Sequence, residues 1–278
     1  MTVHEEKSMR VGIVGAGRMG WPMATRLREA GHEVGVLART EAASVRARSA
    51  GLRAASTIAE TCRDAQVVLV CVFTDAQVRE TCLGADGIVA AVGAGGYVVI
   101  HTTGSPITAQ EVADAAGRRG IAVLDAPVSG SPADVAAGSV TLFAGGDEES
   151  LAAVRPVLGA YGSPIIHAGP VGYGQRVKLV NNALFAANIG LAAEAMRLGN
   201  ALGVSDGVLL EALANGSAGR PAIGLLAGAG SVAQLVTLVG EFLAKDVATV
   251  RAVADRLGAD LGLLGDVLSG HTFAEGAP

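Results

Sequence analysis

The chain has 278 residues, of which 50% are apolar and 17% are charged. A chain of this length and composition can bury a sizeable core as one large domain or two moderate ones, which excludes disorder as its main state. Lys and Arg number 21 against 26 Asp and Glu, a net charge of −5 without any basic run, and this excludes a general nucleic-acid partner.

The first ten residues are charged and lack the apolar segment of a secretory signal peptide. The three cysteines show no CxxC spacing, and their odd number argues against a disulfide framework. We therefore expect a cytoplasmic protein. The five histidines show no spacing typical of a zinc enzyme, so we predict no metal ion.

Up to about residue 168, short apolar segments alternate with Ala-rich helical segments. The predicted strands are Arg10–Val14, Glu33–Leu37, Gln66–Phe73, Tyr97–His101, Ile121–Leu124, Ser139–Ala144 and Pro164–His167. The predicted helices are Gly17–Ala30, Glu41–Ala50, Ala76–Leu83, Thr108–Arg119 and Asp147–Leu158. Continuous apolar strands are typical of a sheet covered on both faces, so this alternation predicts a doubly wound, Rossmann-type parallel sheet of the α/β class.

Beyond residue 169 the strand signals stop, and the remaining sequence predicts helices interrupted by glycines. The first of them, Gly172–Leu202, would be about 45 Å long and suits a helix that joins two domains. We predict a Rossmann domain over residues 1–168 and an all-helical domain for substrate and association over residues 169–278. The uncharged segment Pro221–Gly240 contains four glycines, so we predict a helix buried in protein and not in a membrane.

The first predicted strand runs into a glycine-rich loop at the start of a helix, Gly15-Ala16-Gly17-Arg18-Met19-Gly20. In such a G-x-G-x-x-G loop the first glycine permits a tight turn, the second lets the backbone approach a pyrophosphate, and the third lets the helix pack on the strand. The helix N-terminus presents N–H groups to the phosphates. The motif alone also occurs in simple glycine-rich turns, but its place between strand and helix favours a dinucleotide site.

The end of the second predicted strand indicates which dinucleotide binds. An Asp or Glu there would hold the ribose 2′-OH of NAD, but the sequence reads Ala38-Arg39-Thr40. Arg39 can pair bidentately with the 2′-phosphate of NADP; the alternative is a solvated arginine at the start of a helix. We predict a preference for NADP and leave the use of NAD open.

Two further segments carry groups suited to chemistry. The loop after the fifth strand contains Ser129 and Gly130, which suit a carboxylate, although a loop of Pro, Ser and Gly is often only a turn. On the long predicted helix, Lys178 and Asn182 are four residues apart and share a face. A surface lysine beside a polar cap is the alternative interpretation.

In their order and spacing, these motifs resemble the β-hydroxyacid dehydrogenase family over nearly the whole chain. The matching segments are Gly15–Ala24, Ala38–Thr40, Thr102–Pro106, Asp125–Gly130, Gly172–Asn182 and Phe242–Asp246. The resemblance implies an NADP-dependent oxidoreductase that transfers hydride between the nicotinamide and a small β-hydroxyacid or semialdehyde acid.

By position, the resemblance implies that Lys178 is the general acid/base and that Asn182 orients the substrate hydroxyl. Ser129 and Gly130 would hold the substrate carboxylate. The further cofactor contacts that it implies are Val72, Phe73, Thr103 and Lys245.

Three positions depart from the family's usual pattern or vary within it. His101 lies in a segment where relatives usually read D-x-S-T. We favour a structural role for it at the end of a strand, with an approach to the active site as the alternative. Ser131 replaces a second glycine in the substrate loop. Arg220 is similar to an arginine found near the substrate in some members, with a surface salt bridge as the alternative.

Two other functions stay open at this point. Imine reductases are similar in architecture and in their preference for NADP, but they generally have Asp or Tyr at the position of Lys178. A non-catalytic NADP-binding scaffold is the second. The apolar helices exceed what one small domain can bury, so we expect a homodimer or homotetramer that binds a small carboxylate substrate.

Overall fold

The computed structural model describes residues 8–216, 225–226 and 228–269. The chain divides into two compact units, Met1–Lys178 and Leu179–Pro278. The first unit is a sheet with helices between its strands, and the described residues of the second unit form helices without a strand. The predicted fold class is confirmed.

Nine strands of the described residues form one sheet in the first unit. They are β1 (Arg10–Val14), β2 (Glu33–Leu37), β3 (Arg53–Ala55), β4 (Val67–Val70), β5 (Tyr97–Ile100), β6 (Ala122–Asp125), β7 (Val128–Ser129), β8 (Val140–Gly145) and β9 (Gly162–Gly169). Their order is β3-β2-β1-β4-β5-β6-β8-β7, with β9 paired to β8. Strands β1 to β6 pair in parallel, so their carboxyl ends lie along one edge, where ligands bind in such sheets.

Helices pack on both faces of this sheet. They are α1 (Gly20–Glu29), α2 (Glu41–Ser49), α3 (Ile58–Cys62), α4 (Asp75–Leu83), α5 (Ile88–Ala91), α6 (Pro106–Gly117), α7 (Pro132–Ala137) and α8 (Glu148–Gly159). Alternate strand side chains enter two separate apolar cores, so that Leu69 lies in one and Val68 and Val70 in the other. Continuous apolar strands are therefore buried on both faces, as the sequence predicts.

The long helix α9 (Tyr173–Ala201) begins in the first unit and continues in the second. It is followed by α10 (Asp206–Asn215), α11 (Val232–Leu257) and α12 (Leu263–Ser269). Leucines such as Leu210 and Leu243 form the core of the second unit. None of the described helices is long and apolar enough to cross a membrane.

The observed bounds differ from the predicted ones at several ends. The strand predicted over Gln66–Phe73 is shorter, Val67–Val70, and the helix predicted from Gly17 begins at Gly20. The far end of the sheet departs from a purely parallel pattern, because β8 runs antiparallel to β6 and β7. Only the short helix α7 lies between β7 and β8, and antiparallel strands do not need the long crossover that parallel strands require.

Candidate active site

The glycine-rich loop has the shape that a dinucleotide requires. Gly15 has a φ of 101°, and a Cβ on it would clash with the carbonyl oxygen of Cys71. A Cβ on Gly20 would clash with the carbonyl oxygen of Gly15, whereas a Cβ on Gly17 would meet no atom within 4 Å. The N-cap of α1, Met19, makes no side-chain capping bond. Backbone N–H groups at an open position therefore fit a pyrophosphate.

The residues after β2 present one cation and one hydroxyl. Arg39 and Thr40 are exposed, and the Thr40 hydroxyl accepts a hydrogen bond from the Ala43 N–H at 3.2 Å, which caps α2. The first acidic residue after this strand, Glu41, forms an ion pair with Arg48 at 2.8 Å. Arg39 is accordingly the first charged side chain that follows the strand.

The loops after β4 and β5 are joined to each other. The Thr102 hydroxyl donates to the Val72 carbonyl oxygen at 2.9 Å and accepts from the Val72 N–H at 3.1 Å. The Phe73 N–H donates to Gln77 Oε1 at 2.9 Å. These bonds fix Val72 and Phe73 beside the residue that precedes Thr103, so the three predicted cofactor contacts lie on neighbouring loops at the carboxyl ends of adjacent strands.

A buried glutamine connects the start of α9 to the same loops. Gln175 is 1% exposed. Its Nε2 donates to the Thr102 carbonyl oxygen at 2.8 Å, and its Oε1 accepts from the Gly104 N–H at 2.9 Å. The amide therefore binds the backbone on both sides of Thr103. Lys178 lies one helical turn beyond Gln175 and is buried.

Asp125, at the end of β6, fixes the same helix end. Its two carboxylate oxygens accept hydrogen bonds from the Gly172 N–H at 2.5 Å and the Gln175 N–H at 2.7 Å. Burial raises the pKa of Asp125 to about 6, although the bonds from these N–H groups act in the opposite direction. A carboxylate thus satisfies two N–H groups at the N-terminus of α9.

The predicted substrate loop follows the same strand. Ser129 lies in β7 and is half-buried, and Gly130 is exposed with a φ of 145°. Ser131, which departs from the family pattern, caps α7: its N–H donates to Asp134 Oδ2 at 2.6 Å, and its hydroxyl accepts from the Asp134 N–H at 3.3 Å. The replacement of glycine by serine therefore has a structural explanation.

In the second unit, the predicted site residues Asn182 and Lys245 both contact Asp246. Asn182 Nδ2 donates to Asp246 Oδ2 at 2.5 Å, and the Lys245 ammonium lies 3.0 Å from Asp246 Oδ1. Asn182 and Asp246 are both buried. Asp246 thus orients the Asn182 amide and holds the Lys245 side chain.

Two hydrogen bonds hold the ring of His101 inside the first unit. Its Nδ1 is 2.6 Å from the Ala126 carbonyl oxygen, so it donates there, and its Nε2 accepts from the Tyr161 hydroxyl at 2.8 Å. Burial lowers the pKa of His101 to about 4, so the ring is neutral near pH 7. Both ring nitrogens are satisfied inside the first unit.

The sequence interpretation missed the roles of Gln175, Asp125 and Asp246. Each lies in a motif that carries the family resemblance. In these motifs the resemblance points instead to Lys178, Ser129 and Lys245. The sequence carries no local signal for the three missed roles, because the hydrogen bonds that define them join residues at least 47 positions apart. Arg220 lies outside the described residues. Among the described residues, no group of three His, Cys, Asp or Glu side chains is arranged to hold a metal ion.

Two family models match consecutive parts of the chain. Residues 10–169 match the NAD binding domain of 6-phosphogluconate dehydrogenase. Residues 172–269 match a model described as the NAD-binding domain of NADP-dependent 3-hydroxyisobutyrate dehydrogenase. Together they span both structural units.

Individual proteins agree with these models. The chain is 39% identical to an NAD-dependent L-serine dehydrogenase of Pseudomonas aeruginosa over 77% of this chain and 72% of the relative. It is 36% identical to a 3-hydroxyisobutyrate dehydrogenase of the same organism over the same shares of the two chains. A solved Mycobacterium tuberculosis 3-hydroxyisobutyrate dehydrogenase with L-serine aligns with a TM-score of 0.80 at 27% identity, over 95% of this chain and 92% of that one.

Imine reductases share the fold. The solved imine reductase of Myxococcus stipitatus aligns with a TM-score of 0.69 over 95% of this chain and 92% of that one, at 18% identity. An identity this low shows a common architecture and does not show a common reaction.

Proposed function

Because the chain belongs to the β-hydroxyacid dehydrogenase family, we propose that it is an NADP-linked oxidoreductase of a small β-hydroxyacid or semialdehyde acid, with Lys178 as the general acid/base. One observation carries the proposal. The Gln175 amide binds the backbone on both sides of Thr103 and lies one helical turn from Lys178. These hydrogen bonds therefore join the loop that would contact the nicotinamide to the helix that carries Lys178.

The bound nicotinamide would supply hydride for reduction and accept it in oxidation. In reduction, the Lys178 ammonium donates a proton to the carbonyl oxygen as that oxygen gains charge; in oxidation, the neutral amine removes the hydroxyl proton. Asn182 lies four residues further along α9, on the same face of the helix, and orients the substrate hydroxyl. Its amide is itself oriented by Asp246.

The Ser129 hydroxyl and the N–H groups around Gly130 would hold the substrate carboxylate. Since a fixed carboxylate places the reacting carbon a set distance away, this contact favours short acids. The L-serine dehydrogenase and 3-hydroxyisobutyrate dehydrogenase relatives are named for such 3-hydroxyacids. We infer the same substrate class for this chain.

The preference for NADP rests on Arg39 and Thr40, which follow β2 where an NAD-binding chain would place an acid. Arg39 offers a planar fork of N–H groups to a phosphate. The Thr40 hydroxyl accepts from Ala43 and keeps its own proton for donation. One relative is named as NAD-dependent, so both cofactors belong in the test.

The test measures oxidation or reduction of the nicotinamide cofactor in the presence of different classes of substrate. NADPH and NADH are offered with short semialdehyde acids and with cyclic imines, and NADP⁺ and NAD⁺ with L-serine and 3-hydroxyisobutyrate. We expect turnover of the acids, with kcat/KM higher for the phosphorylated cofactor. Turnover of imines alone would replace the proposal with imine reduction, and tight NADPH binding without turnover of any substrate would replace it with a scaffold.

A further inference from the structure

A cavity of about 320 Å³ opens beside the glycine-rich loop in the first unit. The residues that line it include Ala16, Trp21, Leu37, Ala38, Ala43 and Arg46. It therefore lies between the glycine-rich loop, the end of β2 and one side of α2. Cavities of this size accept a small ligand or part of a larger one.

One wall of the cavity is a stacked cation. The guanidinium carbon of Arg46, on α2, lies 3.6 Å from the ring centroid of Trp21, on α1. Stacking uses the flat face of the guanidinium and leaves the N–H groups at its edge available for an anion. The stack also restricts the rotamers of a long side chain, which lowers the entropy that a ligand must remove.

Arg46 forms no ion pair with any residue that the structure describes. By contrast, Arg48, two residues further along α2, pairs with Glu41 at 2.8 Å. The other lining side chains are apolar, and four of them are alanines. An anion that enters the cavity therefore meets one oriented guanidinium, and Arg39 precedes α2 at its N-terminus.

We propose that Arg46, held flat on Trp21, is a second determinant of cofactor specificity and binds the 2′-phosphate of the adenosine ribose together with Arg39. The inference deepens the proposed NADP-linked function and rests on it. The cavity would then hold the phosphorylated ribose, and its small alanines would give room for the phosphate. Neither the glycine-rich motif nor the arginine after β2 identifies this residue.

The test measures binding without catalysis. Trp21 is the one tryptophan of the sequence, so its fluorescence reports directly on this cavity. The wild type, Arg46→Ala, Arg46→Lys and Arg39→Ala are titrated with 2′,5′-ADP and with 5′-ADP, and calorimetry provides the affinities independently. Arg48→Ala is the matched control, because it removes the same charge from the same helix at a residue outside the cavity lining.

We expect the wild type to bind 2′,5′-ADP more tightly than 5′-ADP. Arg46→Ala should lose about ten- to a hundredfold in affinity for 2′,5′-ADP, the usual effect of one charge-assisted hydrogen-bonding group, with little change for 5′-ADP. The affinity of Arg46→Lys for 2′,5′-ADP should fall between those of the wild type and Arg46→Ala. The affinity of Arg48→Ala should match that of the wild type.

Three results would overturn the inference. If the wild type discriminates and Arg46→Ala does so equally well, the 2′-phosphate depends on Arg39 and Thr40 alone. If Arg46→Ala weakens the binding of both nucleotides equally, the stacked Arg46 supports the cavity wall and does not bind the 2′-phosphate. If the wild type binds both nucleotides equally, the proposed preference for NADP fails as well, and this outcome is separate from the first two.

Discussion

Gln175 joins the helix that carries Lys178 to the loop that contains Thr103. It is buried, and both ends of its amide bind backbone atoms of a loop that is more than seventy positions earlier in the chain. Such a bond pair fixes the position of Thr103 relative to Lys178. Positioning of this kind matters because a displacement of about 1 Å can lower a rate about a hundredfold.

Replacement of Gln175 by Met keeps the volume and removes both hydrogen bonds. We expect kcat to fall about ten- to a hundredfold, while the affinity for 2′,5′-ADP stays within about twofold, because the adenosine half binds at the glycine-rich loop. Steady-state kinetics and nucleotide titration measure the two effects separately. An unchanged kcat in the folded variant would show that Gln175 serves stability only.

Asp125 and His101 respond to acid in opposite directions. Burial raises the pKa of Asp125 from 3.8 to about 6, so the folded state binds the proton first and gains stability as the pH falls from 6 towards 4. Burial lowers the pKa of His101 from 6.5 to about 4, so the unfolded chain binds the proton first and stability is lost as the pH falls from 6.5 towards 4. Each effect amounts to about 3 kcal/mol, and the two nearly cancel.

Variants separate these two effects. Relative to the wild type, the free energy of unfolding of Asp125→Asn should fall by about 3 kcal/mol between pH 7 and pH 4, because only the loss at His101 remains. His101→Gln should show the opposite trend. Urea unfolding at a series of pH values measures both, and curves that run parallel to the wild type would contradict the assigned pKa shifts.

The loop between β1 and α1 contains one glycine that the fold requires and one that leaves room for a ligand. Gly20 has no room for a side chain because its Cβ would meet the Gly15 carbonyl oxygen, whereas Gly17 faces open space. The two positions are three residues apart in one motif. They are therefore a matched pair for a test.

The free energy of unfolding of Gly17→Ala should lie within about 0.5 kcal/mol of the wild-type value. The variant should bind NADPH at least about tenfold more weakly, because the new methyl group keeps the pyrophosphate from the backbone. Gly20→Ala should lose about 1–3 kcal/mol of stability through overpacking. Thermal unfolding and NADPH titration distinguish the two variants. Normal NADPH affinity in Gly17→Ala would move the pyrophosphate away from this loop.

The sequence predicts long apolar elements better than short ones. β1 and β2 agree with their predicted bounds, because each is a run of apolar residues bounded by polar or glycine residues. β3 has three residues and α5 has four, which is too short for a periodic pattern. The antiparallel direction of β8 depends on pairing with distant strands and leaves no local signal.

Within the candidate site, the sequence predicts residue types and not their partners. Lys178 and Asn182 follow from one helix pattern, since they are four residues apart. The partners of Asp125 are 47 and 50 positions away, and Asn182 and Asp246 are 64 positions apart. Such contacts form only when the chain folds, so spacing in one sequence does not reveal them.

At the scale of the whole molecule, α9 carries an exposed apolar face. Val180, Leu184, Leu191 and Leu198 are each more than half exposed, and they recur at intervals of four and seven residues. Intervals of this kind place side chains along one side of a helix. We propose that a second copy of the chain covers this face, as the apolar composition of the second unit leads us to expect.

Leu191→Glu should shift the wild-type oligomer towards the monomer, because a carboxylate would be buried in the interface. Leu263→Glu, at an exposed leucine of α12, is the control and should leave the assembly unchanged. Light scattering at micromolar concentration measures the mass of each. A monomeric wild type would contradict the proposed oligomer.

In the proposed function, Lys178 transfers the proton that accompanies hydride transfer. The most direct test of this role is Lys178→Met beside Arg176→Met, which removes an exposed cation two residues earlier on the same helix. We expect kcat for the best semialdehyde acid to fall by at least about a hundredfold in Lys178→Met, the usual contribution of a general acid/base. The affinity of this variant for NADPH should be retained. The kcat of Arg176→Met should stay close to that of the wild type. Full turnover by Lys178→Met would contradict the proposed role of Lys178.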